Sequence, residues 1–113
     1  MDFTHVNDVA SGINRVVESL AAGDKNLPPI HFANGTGTTL GQLAQLAVSA
    51  SVHPCVVNEV AARASSVGCF IGDPGRATQL LGWTHSTPLA DGIEAMVRQF
   101  TLAATDKKTE IVD

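Results

Sequence analysis

Ile30-His31-Phe32-Ala33-Asn34-Gly35-Thr36-Gly37-Thr38-Thr39-Leu40-Gly41-Gln42-Leu43 is the stretch that decides the fold class. Ile30 to Ala33 is a short apolar run of strand character, and Asn34-Gly35-Thr36-Gly37 turns the chain sharply. Thr39-Leu40-Gly41-Gln42 then fits a capping box, in which the threonine hydroxyl and the glutamine amide each satisfy a backbone group at a helix start. Leu40, Leu43, Ala44, Leu46, Ala47 and Ala50 recur on one face of that helix. Strand, turn and helix in succession predict an α+β domain.

Working outward, Val9, Ile13, Val16, Val17 and Leu20 recur at steps of three and four and predict a helix over 7–22, with Asp8 in its first turn. Gly23-Asp24 ends it. Downstream, His53-Pro54 stops the second helix. Cys55-Val56-Val57 and Cys69-Phe70-Ile71 read as short strands that bury both thiols, and the small residues from Asn58 to Gly68 read as irregular. Asp73-Pro74 signals a third helix start, with Asp73 as the capping acceptor and Gly82 as a left-handed stop. Thr87-Pro88 repeats the start signal, and Leu89, Ile93, Met96, Val97 and Phe100 form a stripe to about Leu102. The expectation is one small α+β domain over residues 1–104, with about four helices and two to four short strands near Phe3, Phe32, Val56 and Phe70. A polar, frayed tail follows over 105–113.

The composition narrows the function. Of 113 residues, 7 are Lys or Arg and 11 are Asp or Glu, a net charge of −4. That argues against nucleic-acid binding through a basic surface. No apolar run reaches the roughly 20 residues of a membrane span. The segment from Met1 to His5 lacks the pattern of a signal peptide, so a cytoplasmic location is expected. The two cysteines are wrongly spaced for a zinc site, and His5, His31, His53 and His85 have no metal-ligand spacing, so no metal site is expected. The sequence contains no tyrosine, which excludes a tyrosinate proton shuttle within this chain. No catalytic residue set assembles.

Gly35-Thr36-Gly37, followed by Gly41, is similar to a dinucleotide-binding turn. It departs from that motif in leaving three residues before the last glycine and in lacking a well-placed acid for the ribose. The residues by themselves read as a glycine turn between strand and helix. By the same measure Arg63 and Arg76 read as surface cations, and Trp83 as a packing anchor under the last two helices.

Four segments, in order, resemble one family. Asp2-Phe3-Thr4-His5-Val6-Asn7-Asp8-Val9-Ala10, the run from Phe32 to Leu43, Asp73-Pro74-Gly75-Arg76-Ala77 through Leu80-Leu81-Gly82-Trp83, and Thr87-Pro88-Leu89 with Gly92-Ile93 resemble the C-terminal lobe of NAD-dependent nucleotide-sugar epimerases and dehydratases, the extended short-chain dehydrogenases. The resemblance covers roughly residues 2–100. It implies a stand-alone or truncated substrate-binding lobe without the Rossmann half that carries the NAD site and the catalytic Tyr and Lys. Such a chain binds no cofactor alone, turns nothing over alone, and binds a nucleotide-diphosphate sugar weakly. Implied substrate contacts are Arg63, the Gly35-Thr36-Gly37 turn and Arg76. Met1 stands where the family often has a phosphate-binding arginine, and Ser66 stands where the acid that pairs with Arg63 would be. The expected partners are a second copy of the chain or a Rossmann-domain chain, because the lobe's packing face is normally covered. The alternative reading is a non-catalytic oligomerisation or protein-interaction module that has kept the fold and lost the ligand site.

Overall fold

The computed structural model describes residues 1–64 and 67–110. Four helices stand near the places the sequence marks for them: α1 (Val6–Ala21), α2 (Leu40–Ala50), α3 (Gly75–Leu81) and α4 (Leu89–Glu110). No strand forms among the described residues, so the α+β expectation is corrected: the architecture is all-α. The reason is one of pairing. A strand exists only where a neighbour takes its backbone groups. Met1 and Thr38 exchange both backbone hydrogen bonds, each at 2.8 Å, but no second such pair follows. The N–H groups of Asn34, Gly35 and Gly72, which strands through Phe32 and Phe70 would have used, donate instead to the Asp2 carboxylate. The segment around Val56 finds no backbone partner among the described residues. Without sheets to bury them, Cys55 and Cys69 are free and exposed, contrary to the buried thiols expected.

The chain divides into two units, one of residues 1–38 and 64–87, the other of residues 39–63 and 88–113. In the first, α1 packs on α3. Trp83 is 1% exposed and anchors this unit. Its ring meets Phe32 edge-on at 5.0 Å, and its indole N–H donates to the carbonyl of Asp8 at 2.9 Å. The anchor therefore sits against the start of α1. Gly12 gives the Phe32 ring room, since a Cβ there would overlap the ring. Gly82 adopts φ 59° and closes α3 as the sequence predicts, so that Trp83 N–H reaches the Ala77 carbonyl. At the other end of α3 the cap is Pro74, and Asp73 Oδ1 accepts from Gly75 N–H at 2.8 Å.

Asp8 is the buried acid of this unit. The Ser86 hydroxyl donates to it at 2.8 Å and the Thr87 N–H at 3.0 Å. Burial alone would raise its pKa, but these bonds to the charged form outweigh burial and hold the carboxyl below its ordinary value.

In the second unit, α2 packs on α4. The capping box is complete: Gln42 N–H donates to Thr39 Oγ1 at 3.1 Å, and Thr39 N–H donates to Gln42 Oε1 at 2.9 Å. α4 continues past Leu102 to Glu110, and residues 111–113 of the expected tail lie outside the described residues. No helix among the described residues is long and apolar enough to cross a membrane.

Candidate functional site

The polar cluster of the first unit is organised by one carboxylate. Asp2 accepts from Asn34 N–H at 3.0 Å and from Gly35 N–H at 2.8 Å. Its Oδ2 also takes the N–H of Gly72 at 3.1 Å. Two segments far from Asp2 and from each other in sequence thus converge on its side chain, and charge-assisted bonds of this kind are among the stronger ones available. Close approach is part of the arrangement. Gly72 lies against Ala33 so tightly that a side chain there would overlap the Ala33 Cβ, and Gly35 adopts φ 78° over the ring of Pro74. The clamp therefore fixes the Gly35-Thr36-Gly37 turn onto the start of α3.

This geometry sets what the turn can do. The N–H of Gly35 is spent on Asp2, while those of Thr36 and Gly37 make no hydrogen bond among the described residues. An anion at the turn meets the two N–H groups that have no such partner, and it also meets the negative charge of Asp2 at the neighbouring Gly35.

Arg76, on α3, donates from Nη1 to the carbonyl of Pro29 at 3.1 Å. It lines a cleft of about 210 Å³ with Pro29, His31 and Asp73. The structure thus gathers the glycine turn and Arg76 in one unit. Arg63 is exposed and belongs to the other unit. Ser66 lies outside the described residues. A cleft of about 720 Å³ in the other unit is lined by residues of α2, α4 and the segment after α2, His53 among them, and by no Asp, Glu, Lys or Arg. Among the described residues no three of His, Cys, Asp and Glu are grouped as a metal would need.

Sequence reasoning assigned no role to Asp2 as organiser. The backbone groups that donate to it lie 32 to 70 residues away, and no local pattern announces them. His31, which has no metal-ligand spacing in the sequence, lines the cleft with Arg76.

The chain is distantly similar to a UDP-glucose 4-epimerase. Over 94 residues it is 28% identical to that enzyme of Rhizobium leguminosarum bv. trifolii. The match takes in 83% of this chain but spans only 28% of the enzyme's length. No family model matches the chain, and no solved structure matches it.

Proposed function

We propose that the chain is a substrate-binding lobe related to NAD-dependent nucleotide-sugar epimerases and dehydratases, inactive alone and a weak binder of a nucleotide-diphosphate sugar. The observation that carries this is the similarity to UDP-glucose 4-epimerase, which takes in most of this chain and a minor part of that enzyme. The geometry agrees with weak binding. Thr36 and Gly37 N–H donate to a phosphate oxygen, and Arg76 adds charge, with one of its guanidinium arms already engaged by Pro29. Asp2, held against the neighbouring Gly35 N–H, opposes the anion. Arg63 is a second candidate cation.

Hydride transfer needs an oriented nicotinamide and a base at the sugar hydroxyl, and the residues gathered around the clamp supply neither role. The chain therefore produces no NADH and no epimerised sugar from UDP-glucose and NAD above a no-protein control. Turnover above that control would end the reading. In a calorimetric titration with UDP-glucose, binding is weak and is weakened further by Arg76→Ala; a tight complex indifferent to that substitution contradicts the site.

A specific observation favours the second reading, an interaction module that pairs with another copy or with a Rossmann-domain chain. On α1, Asp8 and Gly12 face inward, while Val6, Ile13, Val17 and Leu20 form a continuous stripe on the adjoining arc, each at least half exposed. Such a stripe is the mark of a covered face.

A further inference from the structure

His31, Asp73 and Arg76 line one cleft of about 210 Å³ with Pro29. The cleft holds a carboxylate and a guanidinium, yet the two form no ion pair. Each is tied to the backbone instead. Asp73 Oδ1 accepts from the Gly75 N–H at 2.8 Å, and Arg76 Nη1 donates to the Pro29 carbonyl at 3.1 Å. Asp73 Oδ2, the other guanidinium N–H groups and the His31 ring nitrogens make no hydrogen bond among the described residues.

The ligand class follows from these groups. Asp73 accepts hydrogen bonds, Arg76 donates them, and an imidazole has both capacities. The one positive and one negative charge offset each other, so the cleft gains little from a net charge on its occupant. A neutral ligand with several hydroxyls, each a donor and an acceptor, satisfies all three side chains together. The cleft is smaller than the roughly 300–1,000 Å³ of sites for drug-sized ligands, which suits a single ring. His31 also lines a second cleft of about 370 Å³, where Phe32 and the half-exposed Phe70 supply an apolar surface. Ligand sites combine such surfaces with a few placed polar groups. Gly35 of the glycine turn sits over the ring of Pro74, the neighbour of Asp73, so the first cleft adjoins the turn.

We infer that the cleft of His31, Asp73 and Arg76 is a subsite for a neutral cyclic polyol, and that it takes the hexose ring of a nucleotide-diphosphate sugar whose phosphates lie at the turn. Asp73 Oδ2 accepts from ring hydroxyls, and Arg76 and His31 donate to ring oxygens. This rests on the reading of the chain as a nucleotide-sugar lobe, and it adds which residues hold the sugar.

Titration of the ¹⁵N-labelled full chain with UDP, UDP-glucose and UDP-glucuronate tests it, in the parent and in Asp73→Asn and His31→Ala. Asp73→Asn keeps an oxygen for the Gly75 N–H, and His31 has no hydrogen bond to lose, so both variants keep the parent's amide spectrum outside the cleft. The parent binds UDP-glucose about tenfold more tightly than UDP, a gain of the size that two net hydrogen bonds supply. Each substitution cuts that preference to about threefold or less without weakening UDP itself. UDP-glucuronate gains less than UDP-glucose, because Asp73 opposes the carboxylate on its ring. Equal affinity of the parent for UDP and UDP-glucose would overturn the subsite and leave the phosphate contacts standing. A preference for UDP-glucose that survives both substitutions would overturn the assignment to this cleft. UDP-glucuronate binding as tightly as UDP-glucose or more so would overturn the neutral ligand class. No binding of any of the three would overturn the lobe reading together with this one.

Discussion

Asp8 is the residue on which the first unit most depends. Its carbonyl receives the Trp83 indole N–H, and its carboxylate receives Ser86 and Thr87. Asp8→Asn removes the charge but keeps the shape, and it costs about 2–3 kcal/mol because bonds to a charged acceptor are lost or weakened in a buried place. Urea unfolding at pH 7 measures this. The sign of the pH dependence follows from the lowered pKa. The stabilisation is fully present above the ordinary carboxylate pKa of about 4, and it is lost as pH falls through the lower folded value. The parent chain therefore loses stability on acidification below about pH 4, and Asp8→Asn flattens that part of the profile. An unchanged acid slope in the variant would remove Asp8 from the account. Gly12→Ala is the second residue-scale prediction. Its methyl falls on the Phe32 ring, and overpacking of this kind costs about 1–3 kcal/mol. A thermal melt as high as the parent's would show that the ring moves aside freely.

At the scale of the element, the helices were legible because their signals are local. Thr39 and Gln42 sit three apart and cap one another across that distance, and Gly82 ends α3 with the backbone sign that glycine adopts most easily. Thr39→Ala removes the hydroxyl acceptor and costs about 1 kcal/mol, as read by chemical unfolding. Replacement without effect would mean that α2 is held by packing on α4 alone. The strands were not legible as absent, because nothing in Phe32-Ala33 or Val56-Val57 records whether a neighbour exists. An apolar β-prone run is necessary for a strand, and a backbone partner is what completes it. The same gap hid the candidate site. Gly35-Thr36-Gly37 could be read as a turn, but its tie to Asp2 and Gly72 spans distances that only the folded chain reveals. Arg76 and the turn stand in the sequence as candidate contacts. Their grouping in one unit, and the spending of Gly35 N–H on Asp2, came from the structure.

At the scale of the whole molecule, two groups of exposed apolar side chains differ in chemistry. The α1 stripe offers side chains alone, because its backbone is already hydrogen-bonded within the helix. The run from Cys55 to Arg63 leaves its backbone groups without a hydrogen-bond partner among the described residues. Both belong to a chain whose similarity to a UDP-glucose 4-epimerase takes in less than a third of that enzyme. The most direct test of the lobe reading is a titration of the ¹⁵N-labelled chain with UDP-glucose, following every backbone amide. The account predicts fast-exchange shifts, strongest at the Thr36 and Gly37 amides, that saturate only at millimolar ligand. Spectra that do not change at such concentrations, or changes confined to residues away from the glycine turn and Arg76, would contradict it.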